Sequence, residues 1–228
     1  MFGSRLEVRK LESRIEKYES VPVQTGKILF YGHSLFTHCS WIFRPQTNTK
    51  PLLEDNVRMK DGSQAILNHG FGTSCADDLL YYYDRMVRPY KPRALVLATA
   101  GNDIGYGYSA KEIMEVQARI IQWAQADFPG IPIYCFSSGL SVKHKESVNV
   151  YTRVRDEYNQ FLEDFCAHTE NCVYVPLHKQ AFAFDDPADA GNYDKIREDI
   201  FDEDKNHLNP LGYTLFMDFV RELLDDLL

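Results

Sequence analysis

Short apolar runs of strand character alternate along the chain with longer segments of helical periodicity, and this alternation limits the fold more than any other feature. The runs are "KILFYG" (residues 27–32), "RALVLAT" (93–99), "IPIYCF" (131–136) and "CVYVP" (172–176). Strands separated by helices of this length favour parallel pairing with right-handed crossovers. The sequence therefore predicts a mainly parallel sheet with helices on both faces and ligands bound at the carboxyl ends of the strands.

The helical segments have recognisable ends. They cover about residues 74–87, 109–128 and 149–166 and the segment after residue 210. Ser109 and Glu112 form an S-x-x-E capping box, and the first segment stops before Pro89. The acidic stretch of residues 178–206 shows only weak structural signals, so we expect a loop that borders the ligand site.

The composition excludes several classes of function. The net charge of −8 repels phosphate backbones, and no basic run is interleaved with aromatic residues, so nucleic acid is a poor candidate partner. No apolar run is long enough to cross a bilayer, and the charged N-terminus lacks the apolar core of a secretory signal. We therefore expect a cytoplasmic protein without membrane insertion. The five cysteines lack C-x-x-C spacing, which argues against a disulfide framework and a structural zinc site.

Polar residues follow the predicted strands at the edge where ligands bind. Ser34 in "GHS" follows the first strand, Asn102 in "AGND" follows "RALVLAT", and "NHGFGTS" lies between them, just ahead of a helix. Near the C-terminus, Asp204 precedes His207 by three residues. This spacing allows the carboxylate to orient the imidazole while the imidazole reaches a distant serine. The parts of a Ser-His-Asp device are therefore present.

Such a device has definite chemical needs. A serine hydroxyl is a weak nucleophile at neutral pH, so it needs a base within hydrogen-bonding distance, and the base needs a partner that fixes its tautomer. His207 and Asp204 fit these two roles. An oxyanion also needs preorganised donors, which the backbone N–H groups of Ser34 and the Gly-rich segment and the amide of Asn102 could supply.

Four blocks, "GHSL", "NHGFGTS", "AGND" and "DKNHLNPLGY", occur in this order and resemble the blocks of the SGNH (GDSL-like) hydrolases over roughly residues 27–215. The resemblance implies a flavodoxin-like three-layer α/β/α sandwich. It implies that Ser34 is the nucleophile and an oxyanion donor, that Asn102 is the side-chain donor, and that His207 is the base with Asp204 as its partner. The expected activity is metal-independent and cofactor-free hydrolysis of small-molecule esters, either acyl esters or acetylated sugars.

The N-terminal segment stands outside these blocks. Val8, Leu11, Ile15 and Tyr18 form an apolar stripe on one face of a charged helix over residues 4–19. We expect the stripe to pack on the same domain, since two heptads are too short for a convincing coiled coil. The predicted organisation is an N-terminal amphipathic helix in residues 1–24 and a single SGNH hydrolase-like catalytic domain in residues 25–228.

Three positions depart from the family pattern. His33 replaces the aspartate of "GDS", Thr73 replaces a glycine of the second block, and Ala100 replaces the glycine two positions before Asn102. The resemblance gives the backbone N–H of Thr73 a place in the oxyanion hole. A β-branched side chain there restricts φ and is expected to crowd the acyl site, and Gly72 is expected to supply the flexibility of the loop.

Three alternatives compete with this interpretation. "GTSCA" nearly matches the G-x-S-x-G nucleophile elbow, which would make Ser74 the nucleophile of an α/β-hydrolase, although Ser74 also suits an N-cap. The fold could also serve as a ligand-binding domain whose oxyanion hole is degraded by Thr73. His33 and His38 suggest a metal, but no carboxylate or cysteine joins them at ligand spacing, so no metal site is predicted.

Overall fold

The four predicted strands form one parallel sheet together with a fifth strand. The computed structural model describes residues 11–42, 49–143 and 149–228. Its strands are β1 (Ile28–Gly32), β2 (Ile66–Gly70), β3 (Ala94–Ala98), β4 (Ile133–Phe136) and β5 (Cys172–Val175). They lie in the order β2-β1-β3-β4-β5, and every neighbouring pair is parallel. The predicted flavodoxin-like α/β fold is confirmed.

The helices cover both faces of the sheet. Within the described residues they are α1 (Glu12–Glu19), α2 (Ser34–Thr37), α3 (Leu53–Asn56), α4 (Ala76–Met86), α5 (Gly101–Gly105), α6 (Ala110–Asp127), α7 (Val150–Ala167) and α8 (Pro210–Leu223). The predicted capping box opens α6, because the Ser109 N–H donates to the Glu112 carboxylate at 2.8 Å and the Glu112 N–H returns a bond to Ser109 Oγ at 3.3 Å.

The alternation of side chains along β1 separates two apolar cores. Leu29 and Tyr31 pack in the core beneath α1, α4, α6 and α7. Ile28 and Phe30 pack in the opposite core beneath α2, α3 and α8. Each of these side chains is fully buried, and a buried side chain of this size contributes about 1.5–3 kcal/mol. The sheet is therefore anchored from both sides, which gives its carboxyl edge a rigid base.

Strand β2 was not singled out in the sequence, because its run "ILNHG" is broken by two polar residues. Both are buried and bonded in the structure. Asn68 Nδ2 donates to the Phe36 carbonyl at 2.9 Å, while Asn68 Oδ1 accepts from the Gly70 N–H at 3.0 Å. His69 Nδ1 lies 2.7 Å from the Met86 carbonyl. These polar side chains fasten the edge strand to the helices beside it.

Helix α1 packs on α4. Leu11, Ile15 and Tyr18 are buried, and the Tyr18 hydroxyl donates to the Gly70 carbonyl at 2.6 Å. Arg85 of α4 forms ion pairs with Glu12 at 2.7 Å and Glu19 at 2.6 Å. The fourth residue of the predicted stripe, Val8, lies outside the described residues.

Two glycines bring the carboxyl ends of β1 and β2 close to neighbouring backbone. A Cβ at Gly32 would lie 2.6 Å from the Ala98 carbonyl oxygen, and one at Gly70 would lie 2.7 Å from the Thr37 nitrogen. Side chains at these positions would push β3 and α2 away. The glycines therefore allow α2, which begins at Ser34, to sit directly against the sheet edge.

In the described part of the chain, no helix is both long enough and apolar enough to span a membrane.

Candidate active site

The structure places Ser34 and His207 within hydrogen-bonding distance, although they are 173 positions apart. Ser34 is the first residue of α2, directly beyond the end of β1. Its Oγ lies 3.0 Å from Nε2 of His207. Tyr213 of α8 donates to the Leu35 carbonyl at 2.8 Å and so holds the turn that carries Ser34. The nucleophile and base predicted from the sequence are therefore in contact.

Asp204 binds the other side of the His207 ring. Its Oδ2 lies 2.5 Å from His207 Nδ1, and its Oδ1 accepts the backbone N–H groups of Asn206 and His207, each at 2.9 Å. Partial burial acts to raise the pKa of Asp204, but the N–H groups and the His207 ring outweigh it and hold this pKa below its usual range. The carboxylate is therefore ionised beside the imidazole at neutral pH.

His38 forms a wall for the His207 ring. The two rings are stacked with centroids 4.3 Å apart and planes 12° apart. Lys50 Nζ lies 3.4 Å from His38 Nδ1 and 2.5 Å from Asp202 Oδ2. Burial, and then the nearby His207 and Lys50, lower the pKa of His38 to about 4. His38 is thus a neutral ring against the base at pH 7, which avoids a second cation there.

His33, at the position of the family aspartate, directly precedes the nucleophile in the chain. Its Nδ1 accepts from the Leu35 N–H at 3.3 Å, so it caps α2. Burial, and then the nearby His207, lower the pKa of His33 to about 4. A neutral imidazole here performs the capping that a carboxylate would otherwise perform.

The loop after β2 runs beside Ser34. A Cβ built at Gly72 would lie 3.6 Å from Ser34 Cβ. Thr73 has a φ of +66°, in the left-handed region that β-branched residues rarely adopt. Its side chain is exposed, and Thr73 is not among the residues that line the cleft at Ser34. The crowding of the acyl site expected from the sequence is therefore not seen.

A residue of the N-terminal helix holds this loop. Arg14 of α1 donates a hydrogen bond through Nη1 to the Gly72 carbonyl. The contact joins residues 58 positions apart, and no local sequence pattern indicated it. Arg14 thus links α1 to the backbone beside the nucleophile.

Asn102 lies in α5, just beyond the end of β3, and lines the cleft. Its Nδ2 donates one hydrogen to the Ser74 carbonyl at 2.9 Å. An amide nitrogen has two hydrogens, and Asn102 lines the same cleft as Ser34 and His207. The contact fixes the amide plane and leaves a second N–H for a ligand.

Asp103, which the sequence analysis passed over, ties the two loops together. Its Oδ1 accepts from the Ala76 N–H at 2.7 Å, and its Oδ2 accepts from the Ala100 N–H at 3.1 Å. Ala100 has a φ of +80°. Burial raises the pKa of Asp103 to about 7, although the Ala76 N–H opposes this shift. Asp103 is the last residue of the "AGND" block, and its place directly after Asn102 was the only sequence feature that could have indicated this role.

Two backbone N–H groups at the site have no acceptor. Among the described residues, neither the Ser34 N–H nor the Thr73 N–H donates to a backbone or side-chain acceptor. A backbone N–H without a protein acceptor can donate to a ligand or to water. Unpaired donors beside Ser34 are the arrangement that a bound oxyanion requires.

Ser34, Asn102 and His207 line one open cleft. Its walls also include Ser137, Leu140 and Arg155. The cleft lies beyond the carboxyl ends of β1 and β3, where the strand order changes direction. This is the position at which parallel sheets of this kind bind ligands.

Comparison with protein families decides the classification. A family model described as "GDSL-like Lipase/Acylhydrolase family" matches residues 30–215. The chain belongs to this family. Comparison with curated proteins found no match.

Solved structures of several other proteins share the fold. A Streptococcus pneumoniae protein named after platelet activating factor superposes with a TM-score of 0.70 at 21% identity, covering 96% of this chain and 92% of that one. A GDSL-like lipase from Bacteroides thetaiotaomicron gives 0.68 at 12%, covering 97% and 100%. Axe2, an acetyl-xylooligosaccharide esterase from Geobacillus stearothermophilus, gives 0.62 at 15%, covering 88% and 94%.

Ser74 differs from Ser34 in this GDSL-like chain. Its Oγ is buried without a hydrogen-bond partner, and no described histidine contacts it. It was also expected to cap α4, but the N-cap is Cys75, whose N–H donates to Asp78 at 2.9 Å. The bond from the Cys75 N–H to the Asp78 carboxylate caps the helix, so the Ser74 side chain has no capping role. The Ser74 carbonyl accepts the hydrogen bond from Asn102.

Two clusters of metal-ligand side chains occur among the described residues of this GDSL-like protein. One joins Cys135, Cys166 and Cys172, with Sγ–Sγ distances of 3.6 Å (135–172) and 3.3 Å (166–172). The other joins Cys75, Asp77 and Asp78 at the start of α4. Neither lines the cleft. The thiols come from β4, α7 and β5, so their sequence spacing did not indicate the cluster.

Proposed function

We propose that this protein is a serine esterase that hydrolyses small acyl or acetyl esters, with Ser34 as nucleophile, His207 as general base and Asp204 as its orienting partner. The carrying observation is the continuous chain of contacts from Ser34 Oγ to His207 at 3.0 Å and from His207 to Asp204 at 2.5 Å. The Ser34–His207 distance falls within the range that proton transfer requires, and the short contact with Asp204 is the one that would orient the imidazole.

The reaction follows from this geometry. Asp204 holds the His207 proton on Nδ1, so Nε2 is free to accept the Ser34 proton while Oγ attacks the ester carbonyl. His207 then gives that proton to the leaving alcohol oxygen, and an acyl-Ser34 ester remains. A water molecule attacks the acyl carbon with His207 again as base, which releases the acid and restores Ser34.

The negative charge of each tetrahedral intermediate is assigned to three donors. These are the N–H groups of Ser34 and Thr73 and the second N–H of the Asn102 amide. Support comes from the lack of an acceptor for either backbone group in the described part of the chain, and from the Asn102–Ser74 contact, which holds the amide in place. Gly72 keeps the loop close to Ser34, since it has no Cβ beside that side chain.

The substrate class is proposed from the cleft and from the family. A cleft walled by serines, leucines and tyrosines offers both apolar contact for an acyl group and hydrogen bonds for a polar alcohol. One structural neighbour is an acetyl-xylooligosaccharide esterase. We therefore include acetylated sugars beside simple acyl esters as substrates.

The decisive experiment compares Ser34→Ala with Ser74→Ala on p-nitrophenyl esters from acetate to octanoate and on acetylated xylo-oligosaccharides, with and without EDTA. Ser34→Ala is expected to lower kcat by about 10⁴-fold or more. Ser74→Ala should retain most activity, and EDTA should have no effect. An inactive Ser74→Ala beside an active Ser34→Ala would overturn the assignment of the nucleophile.

Labelling by a fluorophosphonate separates an enzyme from a ligand-binding domain of the same fold. The reagent reacts only with an activated serine, so we expect one label, on Ser34, in the wild type and none in Ser34→Ala. A folded wild-type protein that resists labelling and hydrolyses none of the esters would favour the binding domain instead.

A further inference from the structure

The charge of the cleft wall is opposite to that of the whole protein. The chain has a net charge of −8, yet among the described residues that line the cleft there is no aspartate or glutamate, and Arg155 of α7 is the single lysine or arginine. The overall field repels anions. A cation on this wall is therefore a local feature of the site.

Arg155 is buried and held in one place. Its side chain is 7% exposed. The guanidinium carbon lies 3.5 Å from the centroid of the Tyr193 ring, which itself stacks on His178 at 5.3 Å. A Cβ at Gly139, where φ is +117°, would lie 2.9 Å from Arg155 Cδ. The site is thus shaped around this side chain, and the stacking leaves the guanidinium edge for hydrogen bonding.

The charge of Arg155 is only partly balanced. Nε and Nη2 both lie 2.8 Å from the same oxygen, Oδ1 of Asp156, whose side chain is 58% exposed. Ion pairs with a solvated partner contribute little. Among the described residues, no other carboxylate lies within 4.0 Å of Arg155. Nη1 therefore remains available to a ligand.

The neighbouring histidine adds no second cation. Burial, and then the charges of Lys179 and Arg155, lower the pKa of His178 to about 4. Its Nδ1 lies 3.0 Å from Ser137 Oγ, on the cleft wall. Arg155 is thus one fixed positive charge beside neutral hydrogen-bonding groups.

We propose that Arg155 binds a carboxylate of the substrate, so that the preferred substrates are acyl esters that carry an acidic group, of which an acetylated acidic sugar is an example. The inference rests on the proposed function, because it places that carboxylate in the cleft that holds Ser34. A planar guanidinium pairs with a carboxylate through charge-assisted hydrogen bonds, which are stronger in a recessed site than at the surface.

The test uses matched pairs that differ only in charge. 4-Acetoxybenzoate and 4-acetoxybenzamide place the acid or its amide in the alcohol portion, and monomethyl glutarate and its glutaramate analogue place it in the acyl portion. The variants are Arg155→Met, which keeps an apolar stem, and Arg155→Lys, which keeps the charge. Arg153→Met is the control, because Arg153 is exposed on the same helix and outside the cleft.

In the wild type, the acidic member of at least one pair should be preferred in kcat/KM. Arg155→Met should lower that preference by at least about tenfold, mainly through KM, and Arg155→Lys should retain part of it. Arg153→Met should leave both members unchanged. If Arg155→Met lowered kcat/KM equally for acid and amide and also lowered the melting temperature, Arg155 would only support the Tyr193 ring, and the inference would be overturned.

A binding measurement separates this inference from the esterase assignment. Calorimetry on Ser34→Ala and Ser34→Ala/Arg155→Met, with 4-acetoxybenzoate, 4-acetoxybenzamide, monomethyl glutarate and its glutaramate analogue, requires no turnover. If at least one acid, but not its amide, binds more weakly to the double variant than to Ser34→Ala, the result supports the anion site even when no ester is hydrolysed. Equal affinities for acid and amide in both pairs in Ser34→Ala would overturn it while leaving the esterase proposal intact.

Discussion

The two sides of the candidate site differ in whether side chains or backbone conformation position the functional groups. On the base side, Ser34, His207 and Asp204 meet through side-chain contacts of 3.0 and 2.5 Å. On the proposed oxyanion side, the assigned donors depend on the backbone at Thr73 and Ala100, whose φ values are +66° and +80°. The first side requires particular side chains, whereas the second requires a backbone shape that other residues maintain.

That shape has an energetic cost and an identifiable support. A non-glycine residue in the left-handed region costs about 1–2 kcal/mol. The support comes from Asp103, which accepts the Ala76 and Ala100 N–H groups, and from Arg14, which binds the Gly72 carbonyl. Hydrogen bonds to charged groups contribute about 1.5–3 kcal/mol each. We therefore expect changes to these supports to alter the oxyanion side without disturbing the Ser34–His207 contact.

The largest effect within that side is expected at Asn102, because it is the one donor there that acts through a side chain. Asn102→Ala should lower kcat about 10²- to 10³-fold with a smaller change in KM, since an oxyanion donor acts where charge develops. Steady-state kinetics on p-nitrophenyl acetate measure this. A loss confined to KM would make Asn102 a ground-state binding residue.

Asp103 provides a test through pH. Its pKa is raised to about 7 in the folded protein and is about 3.9 in an unfolded chain. The unfolded state therefore ionises first, so this group lowers the free energy of unfolding as pH rises from about 4 to 7. Asp103→Asn lacks that titration. The difference in stability between wild type and variant should shift in favour of Asn by about 2 kcal/mol between pH 5 and 7.

Urea denaturation of both proteins at several pH values measures the shift. Asp204→Asn is the contrasting variant, because the depressed pKa of Asp204 makes the wild-type contribution complete above about pH 4 and lost only at lower pH. A stability difference for Asp103→Asn that stays constant from pH 5 to 7 would show that the raised pKa is wrong.

The sequence predicted the base side better than the oxyanion side, for a physical reason. Asp204 and His207 are three positions apart, and Ser34 follows a strand whose apolar character is plain, so local spacing carried the information. The supports of the oxyanion side come from distant elements. Arg14 reaches a loop 58 positions away, and the positive φ of Thr73 and Ala100 follows from contacts rather than from their own preferences.

Arg14 should have a moderate effect. Arg14→Met removes the hydrogen bond to Gly72 while keeping an apolar stem, and we expect kcat to fall about tenfold, because the Thr73 N–H loses its alignment without being removed. KM should change little. Arg14→Lys, which retains a donor, should recover part of the loss. A fall in melting temperature with unchanged kcat would limit Arg14 to anchoring α1.

The smallest effect on activity is expected from Thr73→Gly, and the sign of its effect on the free energy of unfolding is informative. Glycine adopts a φ of +66° without strain, which returns about 1–2 kcal/mol, but it costs about 0.5–1 kcal/mol in unfolded-state entropy. The variant should therefore be more stable than the parent by about 1 kcal/mol. Since the backbone N–H remains, activity on acetyl esters should stay within about tenfold. Thr73→Ala keeps the Cβ that causes the strain, so its stability should stay close to that of the parent.

The exposed Thr73 side chain also predicts that Thr73→Gly changes activity equally on acetate, butyrate and octanoate esters. A loss on acetate as deep as that of Asn102→Ala, in a folded variant, would mean that the threonine hydroxyl itself takes part in the reaction, and the oxyanion side would then require a particular side chain at Thr73 just as the base side does.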